Sequence, residues 1–101
     1  MAAPKQYEVW TTDDGPLVLV LQNDLLNDIE TRVVTPFFPI GVMGRSLQRL
    51  NPTINMAGRE LVVMTQLLAT LYPEELLECS GTAEHDRDQI VRAIDALLSG
   101  V

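Results

Sequence analysis

One histidine and one cysteine are the chain's whole supply of the side chains that most often move protons, attack substrates or hold transition metals: His85 and Cys79. A zinc site needs several such ligands at set spacings, and a structural disulfide needs a second cysteine, so neither is expected, and no cofactor is implied. Cys79 could be a nucleophile, but a lone cysteine more often behaves as a small, inert apolar residue. His85 lies among Glu84, Asp86 and Arg87, where a solvated residue at a helix start is the plainer expectation. Cutting RNA would require a general base for the ribose hydroxyl, a general acid for the leaving oxygen and a basic groove for the strand. The seven cations, Lys5, Arg32, Arg45, Arg49, Arg59, Arg87 and Arg92, are scattered along the chain and face fourteen Asp and Glu, for a net charge of −7. Such a balance disfavours gripping a polyanion. The residues alone therefore disfavour a metal site, a structural disulfide and a direct grip on nucleic acid.

The elements that would position a docking surface are mostly strands. The 101 residues, 47% of them hydrophobic, suit a single domain over 1–101. A domain of this size buries roughly 65% of its unfolded surface, so a subunit partner would help it, and a homodimer is expected. The stretch from Tyr7 to Thr12 has high strand propensity, Asp13-Asp14-Gly15-Pro16 supplies turn chemistry, and Leu17 to Leu21 is continuously apolar. This predicts a β-hairpin whose second strand is either covered on both faces or meets another subunit. Gln22-Asn23-Asp24 breaks it, Leu25-Leu26 follows in a polar setting, and Thr31 to Thr35 predicts a third strand. Pro36, Pro39, Gly41 and Gly44 predict a long irregular connection. A further hairpin is expected across Ala57-Gly58-Arg59, while Leu61 to Leu71 fits either helix or strand. Ile90, Val91, Ile94, Leu97 and Leu98 share a helical face, so a helix is expected from about Asp86 to Leu98, started by an Asp86/Gln89 capping box and ended by Gly100. Neither a secretory signal nor an apolar run of the ~20 residues needed to span a bilayer is present, and a cytoplasmic location is expected.

The order of these segments resembles the CcdB family of plasmid toxins. Gln6-Tyr7-Glu8-Val9-Trp10-Thr11 and Val20 to Leu26 are similar to its opening, and Arg32 to Pro36 to its third strand. Asn51 to Met56 with Met64-Thr65 is similar to its central hairpin, and Ile90 to Asp95 with Gly100-Val101 to its C-terminal helix and tail. The resemblance implies a mainly β fold, an SH3-like β-barrel with a small accessory sheet and one C-terminal α-helix, assembled as a homodimer. It also implies a strand across Leu61 to Leu71. It further implies the toxin of a type II toxin–antitoxin system that is not an enzyme, has no catalytic residues and acts by docking on another protein, poisoning DNA gyrase by holding the A subunit in its DNA-cleaved state. Neutralisation would come from a cognate, CcdA-like antitoxin.

On that resemblance the topoisomerase-binding surface maps to Asp95, Ser99, Gly100 and Val101, and the antitoxin and toxicity patch to Leu25 and Leu26. The known gyrase poisons carry a tryptophan where this chain has Ser99, and an uncharged asparagine where it has Asp95. Serine cannot supply the stacking or the buried area of an aromatic anchor. Read without the family, Leu25 and Leu26 are equally well a strand-end contact with the core, and Gly100 a plain helix stop. Two alternatives accompany the gyrase reading: a non-toxic decoy or scaffold for the antitoxin, and an endoribonuclease like the MazF and Kid toxins, which share the fold.

Overall fold

The computed structural model describes residues 3–13, 15–41 and 49–100. They form a curled antiparallel sheet closed by one C-terminal helix, as expected of an SH3-like barrel. The strands are β1 (Glu8–Thr12), β2 (Val18–Val20), β3 (Arg32–Pro39), β4 (Thr53–Met56), β5 (Arg59–Val63), β6 (Ala69–Leu71) and β7 (Leu76–Thr82). They lie side by side in the order β4-β5-β3-β2-β1-β7, with β6 on β3. Helix α1 spans Arg87–Ser99 and follows a 3-10 turn at Glu84–Asp86.

The first hairpin forms as its turn chemistry requires, with Val9 opposite Leu19 and Trp10 opposite Val18. The Thr12 hydroxyl donates to the Pro16 carbonyl across the turn at 3.0 Å, and a Cβ on Gly15 would stand 2.6 Å from that hydroxyl oxygen. A larger residue there would displace the Thr12 hydroxyl from this bond. Val18, Leu19 and Val20 are all buried between β1 and β3, so this apolar run is covered within one chain and does not itself call for a second subunit.

The first part of the irregular connection expected from Pro36 onward, as far as Pro39, is instead the second half of β3, and Gly44 lies outside the described residues. The main chain of a strand faces alternate neighbours, and Phe37 donates to Leu17 of the β2 side at 2.8 Å. Pro36 therefore faces away from β2, where its carbonyl accepts from Met64 N–H at 2.9 Å, and its missing donor leaves no β2 bond unmade. Pro39 faces the side on which β2 has already ended. The prolines sit where β3 exchanges one neighbour for another: it pairs with β2 through Pro36 and with β5 from Phe37. The smaller sheet of β4, β5 and the end of β3 is the expected accessory sheet.

The β4–β5 turn places both Ala57 (φ 53°) and Gly58 (φ 81°) in the left-handed region, with Gly58 N–H donating to Asn55 Oδ1 at 3.1 Å. Leu61 to Leu71 is not one strand. The strand ends at Val63, a 3-10 turn takes Thr65–Leu67, and β6 resumes at Ala69. Residues 72–82, which show neither clear alternation nor helical spacing, supply β7 opposite β1. There the Thr11 hydroxyl accepts from Glu78 N–H at 3.0 Å, so a side chain replaces a main-chain rung. Cys79 lies on this outer strand and is exposed.

Two apolar clusters fill the interior. Phe37, Ile54, Leu61 and Val63 pack with Val9, Leu19 and Ile90 of the helix, while Trp10, Val18, Val20, Val34 and Leu76 form the second. The helix buries Ile90 and Ala93, whereas Val91 and Leu98 are exposed, so the buried stripe is narrower than the apolar spacing implied. The capping box is absent. Asp86 makes no cap bond, and its carboxylate instead accepts from the Gln89 side chain at 3.1 Å.

Candidate functional site

Leu25 and Leu26 stand on a 3-10 turn, Asp24–Leu26, built by the polar residues around them. Asn23 Oδ1 accepts from Leu25 N–H at 2.9 Å, and Asp24 Oδ1 accepts from Gln6 N–H at 2.8 Å. Gln22 spans the base: its amide nitrogen donates to Leu26 O at 3.1 Å, and its amide oxygen accepts from Val33 N–H at 3.1 Å. With the main chain so occupied, the apolar side chains turn outward, leaving Leu25 88% and Leu26 48% exposed beside Ile29 at 47%. Of the two readings of this pair, the core contact is set aside by that exposure. Three apolar side chains held in water on a pinned turn have the form of an interaction surface.

Arg32 underpins the same turn, a role its sequence context gave no sign of. Counted among the scattered cations, it is only 3% exposed and bonds main-chain carbonyls: Pro4 from Nε at 3.2 Å, Ile29 and Thr31 from one terminal nitrogen at 2.6 and 3.0 Å, and Asn27 from the other at 3.3 Å. A guanidinium presents fixed, planar donors, which suits it to gathering several carbonyls of one loop. It ties the chain start and residues 27–31 to β3 and offers nothing to a ligand.

The second set of sequence-derived residues lies at the helix end. Gly100 closes the helix at φ 75° by donating to the carbonyls of Asp95 and Ala96, both at 3.2 Å. The side chains of Asp95 and Ser99 are exposed, as is Leu98 at 73%. Gly100 acts as a helix stop. Val101 lies outside the described residues, and so does Arg45. The two sets occupy separate elements, one on the turn after β2 and the other at the chain's C-terminal helix.

A third feature was not foreseen. An open groove of about 560 Å³ lies over the sheet, floored by apolar side chains that include Val18, Val34, Leu71 and Leu77 and edged by Asp13, Glu74 and Glu75. Its carboxylates come from the β1–β2 turn and the 3-10 turn at Pro73–Glu75, far apart in sequence, so no local spacing announces it. His85 and Arg87 are exposed on the turn into α1. Among the described residues no three His, Cys, Asp or Glu side chains stand where they could share a metal ion. No described helix is long and apolar enough to cross a membrane.

The family model for the CcdB protein matches residues 6–100. This chain belongs to the CcdB family. The fold is also that of solved toxins with another activity. An endoribonuclease from a mycobacterial species superposes with a TM-score of 0.81 at 19% identity, over 98% of this chain and 94% of that one. An endoribonuclease in complex with its cognate antitoxin, also mycobacterial, gives 0.80 at 17% identity over 96% of each chain. No curated protein matches the sequence.

These neighbours, both named endoribonucleases, stand against the expectation that the CcdB-family chain is not an enzyme. On both, the same fold over nearly the whole chain carries RNA cleavage. That expectation rested on the family resemblance, and the net charge of −7 beside it is a sum over the chain that leaves open where individual cations and proton-transfer groups lie.

Proposed function

We propose that this CcdB-family chain is the toxin of a type II toxin–antitoxin pair and that it acts as an endoribonuclease held in check by a cognate antitoxin. The observation that carries this reading is the near-complete fold likeness to two endoribonucleases, one of them bound to its antitoxin. Metal-free RNA cleavage uses the neighbouring ribose 2′-hydroxyl as nucleophile. It asks the protein for a base to take that proton, an acid to protonate the leaving oxygen and a cation beside the phosphate. His85 is the chain's sole histidine, exposed two residues before the exposed Arg87 and next to Glu84. These three are the first residues to test. The exposed Leu25, Leu26 and Ile29 support the antitoxin half of the reading, as a preformed apolar surface for a partner segment.

The test is incubation of purified protein with single-stranded RNA in chelator, with cleavage ends mapped. Defined cuts that fall at least a hundredfold in His85→Ala, and that the antitoxin suppresses, are the expected result. Intact RNA under conditions where expression of the protein arrests growth would remove the ribonuclease reading.

A second reading keeps the toxin and changes the target to the DNA gyrase A subunit or a related topoisomerase. Membership of the CcdB family supports it, together with the exposed helix end at Asp95 and Ser99. The two readings part on whether growth arrest is accompanied by cut RNA or by cleaved DNA. Either would operate in the cytoplasm, and a homodimer would present each surface twice.

A further inference from the structure

We propose that the acidic-edged groove over the sheet docks an extended peptide segment carrying lysine or arginine between apolar side chains, and that this segment belongs to the antitoxin, which rests on the reading of the chain as an antitoxin-held toxin. The groove's volume, about 560 Å³, falls within the ~300–1,000 Å³ typical of ligand pockets. Among the described residues its lining contains three carboxylates, Asp13, Glu74 and Glu75, and no lysine, arginine or histidine.

An adjoining groove of about 440 Å³ shares Glu74 and adds Asp28 and Glu30. Its one cation among the described residues, Arg32, is spent on main-chain carbonyls. A segment that crosses Glu74 from one groove to the other therefore meets carboxylates throughout. Lysine and arginine fit both halves of this chemistry, because the aliphatic stem lies along an apolar floor while the charged head reaches the rim. A nucleic acid does not fit, since its phosphates would face like charges, and an acidic peptide fails for the same reason.

Asp13 and Glu74 are exposed, and among the described residues neither carboxylate accepts a hydrogen bond, so reversing their charges breaks none of the described bonds. The probes are two labelled ten-residue peptides, one alternating leucine with lysine and one alternating leucine with glutamate. Each is titrated with the full chain by fluorescence anisotropy at low salt and at about 0.15 M. The lysine peptide is expected to bind, to weaken as salt rises, and to lose at least tenfold in affinity against the Asp13→Lys/Glu74→Lys double variant. Equal binding of both peptides, or a loss under twofold in the double variant, would overturn the proposal. So would a dimer that the double variant disrupts, because a second copy would then fill the groove. Growth arrest on expression reads the toxin assignment separately. Arrest without peptide binding sinks the groove alone, and binding without arrest detaches the groove from an antitoxin.

Discussion

Replacing Arg32 with methionine keeps most of the aliphatic volume and removes the guanidinium, so it isolates what the head group does. Four hydrogen bonds to the carbonyls of Pro4, Asn27, Ile29 and Thr31 are lost together. A bond from a charged donor contributes roughly 1.5–3 kcal/mol, but only the one to Pro4 is fully buried, and water can reach the other three carbonyls once the loop loosens. Counting the buried bond in full and the others at a fraction gives a destabilisation of about 3–5 kcal/mol. For a domain of this size that is a fall in Tm of roughly 15–30 °C. Urea denaturation followed through Trp10, the only tryptophan and a buried one, gives the free energy directly. Hydrogen exchange should show residues 23–31 opening first. Arg32→Lys should recover less than half the loss, because one ammonium cannot span four carbonyls. A loss below about 1 kcal/mol for Arg32→Met would refute the assignment of this arginine as the anchor of the turn.

Leu25→Glu should change stability by less than about 0.5 kcal/mol, because the side chain is 88% exposed, yet weaken antitoxin binding by tenfold or more in calorimetry. Ala57→Gly should stabilise the protein by about 0.5–1 kcal/mol in urea titration, since it relieves a left-handed alanine at a smaller cost in unfolded-state entropy. Ser99→Trp adds an aromatic ring at an exposed helix end, and on the topoisomerase reading it should raise affinity for the gyrase A fragment about tenfold to a hundredfold. If neither the wild type nor this variant binds that fragment, the topoisomerase reading is lost and the ribonuclease reading is untouched.

What could be read from the sequence was what local chemistry decides. Asp13 to Pro16 and Ala57-Gly58 specify tight turns by themselves, and the Ile90 to Leu97 spacing specifies a helix, so both hairpins and α1 stand where expected. The passage of β3 through two prolines was illegible because their tolerance depends on what each faces: Pro36 faces Met64, and Pro39 the side on which β2 has already ended. β7 was missed because only Leu76 within it is buried, and the strand is held by pairing with β1 at the other end of the chain. At the site, the polar residues around Leu25 and Leu26 announced their exposure. Nothing local distinguishes the buried Arg32 from any surface arginine, and the groove's carboxylates meet only through the fold.

Because β3 belongs to both sheets, the molecule has no seam along which it could come apart. Val34 lies in one apolar cluster and Phe37 in the other, three positions apart on the same strand. Detaching the β4–β5 hairpin uncovers Phe37, and pulling away β2 or β6 uncovers Val34, so either loss strains the strand that the other sheet needs. Partial unfolding by pieces is thereby disfavoured, and the chain should melt as one unit with coincident transitions by every probe. A toxin built this way offers proteases few half-open forms, and its turnover in the cell would follow the rare global opening of the whole domain.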